Sequence, residues 1–188
     1  MSRIHLPRTV KTYQNSVCNY LKTIFGENNV KKEWNVAKDS RDDYTRELYS
    51  PRLDVAVGPF NICKDPYAND DISSIITTHE NFLRKIWLNS ELKTGSFSNF
   101  IHDKNKNPRC LLAIEIENSG SSKHMLGNIA NVSIIGSIGI VVPFNDKQLS
   151  LCKRIKAYVT FATKVNKISD VFKNVLIVNK KNFFLNIR

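Results

Sequence analysis

The chain has 188 residues with a hydrophobic fraction of 41% and a charged fraction of 24%, ordinary values for one globular domain with its own core, here taken as 1–188. Its formal net charge of +11 is not ordinary and favours a polyanionic partner, nucleic acid ahead of an acidic membrane surface. No apolar run is long enough to span a bilayer and the N-terminus lacks a signal-peptide core, so the expected compartment is the cytoplasm, with no membrane partner.

The charge is uneven. Residues 1–32 carry six Lys/Arg against one acid and residues 144–188 carry ten against two, which leaves 33–143 with a net of −2. Basic flanks around a slightly acidic centre suit a protein that holds phosphates at its edges and cations in its middle. Cys18, Cys63, Cys110 and Cys152 are scattered, without the paired spacing of a zinc or redox site, and read as thiols of a reducing compartment.

In chain order, Val10, Tyr13, Val17, Leu21 and Ile24 recur at helical spacing and Gly26 follows as a stop, which predicts an amphipathic helix over 9–25. Residues 30–37 read as a short strand and 38–50 as a polar loop. Pro51 and Gly58-Pro59 punctuate a β-rich segment with Asp54 at its centre. Asp70-Asp71 caps a predicted helix over 72–90, with Ile72, Ile75, Ile76, His79, Phe82, Leu83 and Ile86 on one face and His79 as a core histidine. Residues 92–109 read as a surface loop whose Lys93, His102, Lys104, Lys106 and Arg109 can track a phosphate backbone, and whose Phe97 and Phe100 are candidates for stacking on bases. Trp34 and Trp87 are expected in the core.

A strand over 110–118 follows. Successive strand side chains point to opposite faces, so Glu115 and Glu117 share one face and Ile114 and Ile116 the other. Two carboxylates so placed on an apolar strand call for a positive partner, either a basic side chain or a metal ion. A helix is predicted over 122–135, with Gly127, Ala130 and Ser133 allowing close backbone packing. The β-branched run 138–142 reads as a central strand parallel to the glutamate strand, and a helix over 146–165 sets Leu151, Ile155, Tyr158, Ala162 and Val165 against the core. Lys147, Lys153, Arg154, Lys156 and Lys164 ride off that face. Strands at 175–178 and 183–185, joined by a turn at 179–182, close the chain. The class is α/β, a central mixed sheet flanked by helices.

Asp54 on one strand, Glu115-Ile116-Glu117 on another, and Lys123 and His124 at the start of the next helix stand out. Ser50-Pro51-Arg52-Leu53-Asp54 with Glu115-Ile116-Glu117 resembles the PD-(D/E)xK nucleases, the restriction-endonuclease-like superfamily, over about residues 30–142, with helix 9–25 in the place of the family's leading helix. The match departs from the family pattern at its lysine, where this chain has Glu117. Some restriction endonucleases carry Glu or Gln there, and in other branches the lysine comes from the following helix, where Lys123 is the candidate.

The resemblance implies a restriction-endonuclease-like fold and Mg²⁺- or Mn²⁺-dependent hydrolysis of DNA, of the restriction or another defence type. It implies Asp54 as bridging metal ligand, Glu115 as second ligand with the Ile116 carbonyl contributing, Glu117 binding a water or assisting proton removal, and Lys123 stabilising the attacking hydroxide or phosphate charge. Asn128 and Asn131 lie near the same face, and Glu27 or Glu33 supplies the further acid that family members often carry. Lys104, Lys106, Arg109, Lys153, Arg154 and Lys156 are candidate contacts to nucleic acid, most readily double-stranded DNA, and cutting both strands at a symmetric site would call for a homodimer. Two other functions stay open: an inactive nucleic-acid-binding protein of the same fold, and a regulatory interaction protein whose charge is incidental. The simpler readings of the residues also stay open, with Asp54 paired to Arg52 or Arg41 and the two glutamates paired to lysines of a neighbouring strand.

Overall fold

A five-stranded mixed sheet with strand order β1-β2-β3-β4-β5 forms the middle of the protein. The computed structural model describes residues 6–36, 51–60, 68–93, 95–169 and 171–187. The polar stretch 38–50 with Arg41, and also Cys63, lie outside these residues. In chain order the elements are α1 (Val10–Phe25), β1 (Val30–Asn35), β2 (Arg52–Val57), α2 (Ala68–Thr78), α3 (Glu80–Leu88), α4 (Phe97–His102), β3 (Cys110–Glu117), α5 (Ser122–Ile135), β4 (Gly136–Pro143), α6 (Asp146–Lys164), β5 (Val175–Ile177) and α7 (Lys180–Ile187). β1, β2 and β3 pair antiparallel, whereas β3, β4 and β5 pair parallel, so the predicted crossover from β3 through α5 to β4 is present.

Alternation along the strands sends side chains to two cores. Val55, Val57, Leu112, Ile114, Ile138 and Ile140 meet α1, α3 and α7 on one face, and Ala56, Ala113 and Val141 meet α5 and α6 on the other. β3 and β4 are buried along their whole lengths, which accounts for their continuous apolar sequence. α1 starts at a Thr9 capping box and stops at Gly26, whose φ of 94° favours glycine.

Several sequence expectations are corrected. The segment 183–185 is part of helix α7, not a strand. The Asn179 side chain accepts the Asn182 N–H at 2.9 Å, and Phe183, Phe184 and Ile187 then fall on one buried helical face. The helix expected over 72–90 is two helices, broken at His79, and α2 begins early enough that Asp70 and Asp71 lie within it instead of capping it. The loop 92–109 contains α4, capped by Ser96, whose Phe97 and Phe100 are buried and not exposed on a loop. On α6 the buried stripe is Gln148, Leu151, Cys152, Val159 and Ala162, one residue round from the expected one, so Tyr158 and Val165 are exposed. Trp34 is in the core against Phe60, whereas Trp87 and His79 are half-buried at its border.

Close packing of α5 on the sheet comes from β4 and not from Gly127, which is exposed with open space around it. A Cβ at Gly139 would stand 2.8 Å from the Val132 carbonyl oxygen. Neither backbone can yield without separating helix from strand, so Gly139→Ala is expected to lower stability by about 1–3 kcal/mol in urea melts. An unchanged midpoint would mean that α5 does not sit this close.

Candidate functional site

The acids of the sequence motif gather where β2 and β3 part. The ladder between these strands runs from Val57↔Leu112 to Val55↔Ile114. One residue further, the Asp54 side chain takes over from the backbone: its Oδ2 accepts the Ile116 N–H at 2.7 Å. The Asp54 and Glu115 carboxyls are hydrogen-bonded to each other, and Glu33 and Glu117 are close enough to act on both through their charge. Glu33 is therefore the further acid that joins the group. Glu27 instead pairs with Lys22 on the exposed end of α1.

Electrostatics follow from this crowding. Burial first, then the neighbouring carboxylates, pushes Glu115 up to about 9, so at neutral pH it keeps its proton and shares it with Asp54. Asp54 is raised too, chiefly by burial, with the Ile116 N–H opposing. Glu117 is only 2% exposed and takes a different partner set: Ser119 N–H donates to one carboxylate oxygen, and the Asn128 amide of α5 donates to the other at 2.8 Å. The positive partner expected from the sequence is thus replaced by a retained proton at Glu115 and by two neutral donors at Glu117. Arg52 does not pair with Asp54: its Nε lies 2.9 Å from Glu33 Oε2.

Gln14 was not singled out in the sequence, yet it ties the group together. Its side-chain nitrogen donates to Glu33 Oε1 at 2.6 Å and to the Asp54 carbonyl at 2.9 Å, with Asp54 Oδ1 at 3.3 Å. The signal was a glutamine beside Tyr13, Val17 and Cys18 on the buried face of an amphipathic helix, a place that polar side chains occupy only with partners. Glu33 has a left-handed φ of 53°, a conformation that costs a non-glycine residue about 1–2 kcal/mol, and the β1–β2 register skips over it. Strain at this position accompanies a carboxylate held between Gln14 and Arg52.

The basic candidates are placed elsewhere. Lys123 is exposed and lines a groove between α5 and α6 with Leu126, Arg154 and Tyr158, and it is not among the charges acting on Asp54 or Glu115. His124 is exposed and donates its backbone N–H to the Ser121 cap. Lys104, Lys106 and Arg109 precede β3, at its N-terminal end, whereas Glu115 and Glu117 lie at its C-terminal end. Lys153 pairs with Glu91 at 2.7 Å, Lys156 is half-buried and donates to the Val175 carbonyl, and Arg154 is exposed.

Hard carboxylate and carbonyl oxygens are the donor chemistry that Mg²⁺ or Mn²⁺ takes. Asp54, Glu115 and the neighbouring Glu33 and Glu117 fit such an ion by kind and by charge, because a cation would replace the proton that the crowd now retains. Among the described residues no group of three or more His, Cys, Asp or Glu side chains is placed to hold a metal ion. Compared with known protein families, characterised proteins and solved structures, the chain matches none.

Proposed function

We propose that this protein is a restriction-endonuclease-like, metal-dependent nuclease, a hydrolase of phosphodiester bonds in DNA. The observation that carries the reading is the acidic group itself: four carboxylates from β1, β2 and β3 interacting at a strand divergence, in a chain of net charge +11. The leading helix α1 and the crossover from β3 through α5 to β4 are elements that the family resemblance implies, and they support the reading.

Asp54 and Glu115, with the Ile116 carbonyl, would hold Mg²⁺ or Mn²⁺, which when bound supplies a Lewis acid for the phosphoryl oxygen and a lowered pKa for its water. The chain's own residues prepare the place. The Ile116 N–H fixes the rotamer of Asp54. Gln14 holds Glu33 against Asp54 across α1, β1 and β2. Asn128 and the Ser119 N–H aim Glu117, leaving it a proton acceptor of fixed direction at the rim of the group. Lys123 and Arg154, exposed on one groove beyond the Glu117 turn, would take phosphate charge from the substrate backbone.

One observation favours a second reading, nucleic-acid binding without cleavage: Lys123, the candidate replacement for the motif lysine, is not among the charges felt by the acids. Incubation of supercoiled and linear DNA with Mg²⁺ or Mn²⁺, against EDTA, separates the two. Cleavage is expected in metal and not in EDTA. Asp54→Ala and Glu115→Ala should lower it by at least about a hundredfold, and Lys123→Ala should chiefly weaken binding and reduce its salt dependence by about one charge. Salt-dependent binding with no cutting in any metal would select the second reading, and no binding at all would remove both.

A further inference from the structure

A cavity of about 410 Å³ lies between α3, α4, α6 and the segment before β5, and it shares no lining residue with the acidic group. Its size is that of a small-molecule site. Trp87, Phe100 and Phe172 give it flat apolar walls. Its polar groups are unusual for a packing defect. Lys156, half-buried, runs into it from α6, and among the described residues its ammonium, which can donate three hydrogen bonds, has one acceptor, the Val175 carbonyl at 2.9 Å. About two turns further along α6, the buried Thr163 Oγ1 has no hydrogen-bond partner among the described residues. Among the described residues, Lys93, whose ammonium donates to the Leu88 carbonyl at 2.9 Å, Lys164 and Lys173 stand around the cavity with one acid, Asp103.

We propose that this cavity is a binding site for a small anion with a planar aromatic body, of the class of a nucleoside monophosphate, whose anionic group is taken by Lys156 and whose ring lies against Trp87 and Phe172. Lysines in excess of acids select an anion, a cavity with aromatic walls selects a flat apolar body, and Thr163 supplies a further polar contact. Burial, which pushes Lys156 down to about 8 without an anion beside it, is what a negatively charged ligand would relieve. The site does not depend on the acidic group or on any nuclease activity.

Calorimetric titration of the full chain in EDTA with adenosine monophosphate, adenosine and inorganic phosphate tests this. The monophosphate should bind saturably at one site, with adenosine and phosphate each at least about tenfold weaker. Lys156→Met should weaken the monophosphate at least about tenfold and leave adenosine unchanged, and Lys164→Ala, an exposed substitution that spares the fold, should weaken it about threefold. Asp54→Ala, outside the cavity, should leave monophosphate binding unchanged. The proposal is overturned if the monophosphate gives no saturable binding up to about 5 mM, if Lys156→Met and Lys164→Ala both bind it at wild-type strength, if phosphate alone or adenosine alone binds equally well, or if Asp54→Ala abolishes the signal.

Discussion

Glu115→Gln is expected to stabilise the metal-free protein at pH 8 by about 2–4 kcal/mol and to flatten its pH dependence. The folded protein holds the Glu115 proton up to about 9, whereas the unfolded chain releases it near the ordinary value of 4.5. The native state therefore binds more protons than the unfolded state throughout this window, and stability must fall as pH rises. The full contribution is present below about 4.5 and is lost by the time pH has passed about 9, at a rate of at most about 1.4 kcal/mol per pH unit for one proton. Asp54, raised by the same burial, acts in the same direction. Glutamine keeps a donor for Asp54 and has no proton to lose. Urea melts at pH 5 and pH 8 in EDTA should show the two proteins close together at the lower pH and apart at the higher one. Adding Mn²⁺ should stabilise the wild type more at pH 8 than at pH 5, since the cation competes with the proton. Wild-type stability that is flat or rising across this range would contradict the shared proton.

How far the sequence discloses this site depends on the range of each interaction. β3 and β4 are legible because burial on both faces leaves continuous apolar and β-branched runs, and the crossover between them follows from the helix that separates them. That Glu115 and Glu117 share a face follows from the strand period alone. What neutralises them does not, because the donors come from other elements: Asn128 is on the next helix, and the Asp54 that shares the Glu115 proton is on a strand 61 residues earlier. Gln14 was hidden for the same reason, being meaningful only once α1 packs across β1 and β2. The misread α7 fails differently. Phe183-Phe184-Leu185 has strand-like composition, and only the Asn179 cap, a short-range signal, marks it as helical. On α6 an apolar stripe one residue round was also available, and only packing against the sheet decides which tyrosine or valine goes inside. Long, doubly buried elements thus announce themselves, whereas a site assembled from β1, β2, β3, α1 and α5 shows only its separate pieces.

Glu117→Lys, which places a lysine at the position where the family resemblance expects one, should destabilise the protein by about 3 kcal/mol. Glu117 is 2% exposed, and both its oxygens accept hydrogen bonds, one from the Ser119 N–H and one from Asn128. A lysine has three donors and no acceptor. The Ser119 N–H would face another donor, Asn128 would have to turn its oxygen inward, and a positive charge would enter a site built to hold a negative one. Glu117→Gln keeps one acceptor and should cost about 1 kcal/mol. The double variant Glu117→Lys with Asn128→Asp supplies a carboxylate opposite the new ammonium and should recover at least half of the loss, a coupling that purely steric damage would not show. Urea midpoints of wild type, Glu117→Lys, Asn128→Asp and the double variant give the cycle directly. Should Glu117→Lys prove as stable as wild type, the pocket around Glu117 must be open to water and the two donors idle. The expected result instead places Glu117 where a lysine is not accommodated: Asn128 and the Ser119 turn are arranged around a carboxylate, so the difference from the resembled pattern extends beyond one residue to the helix that follows it.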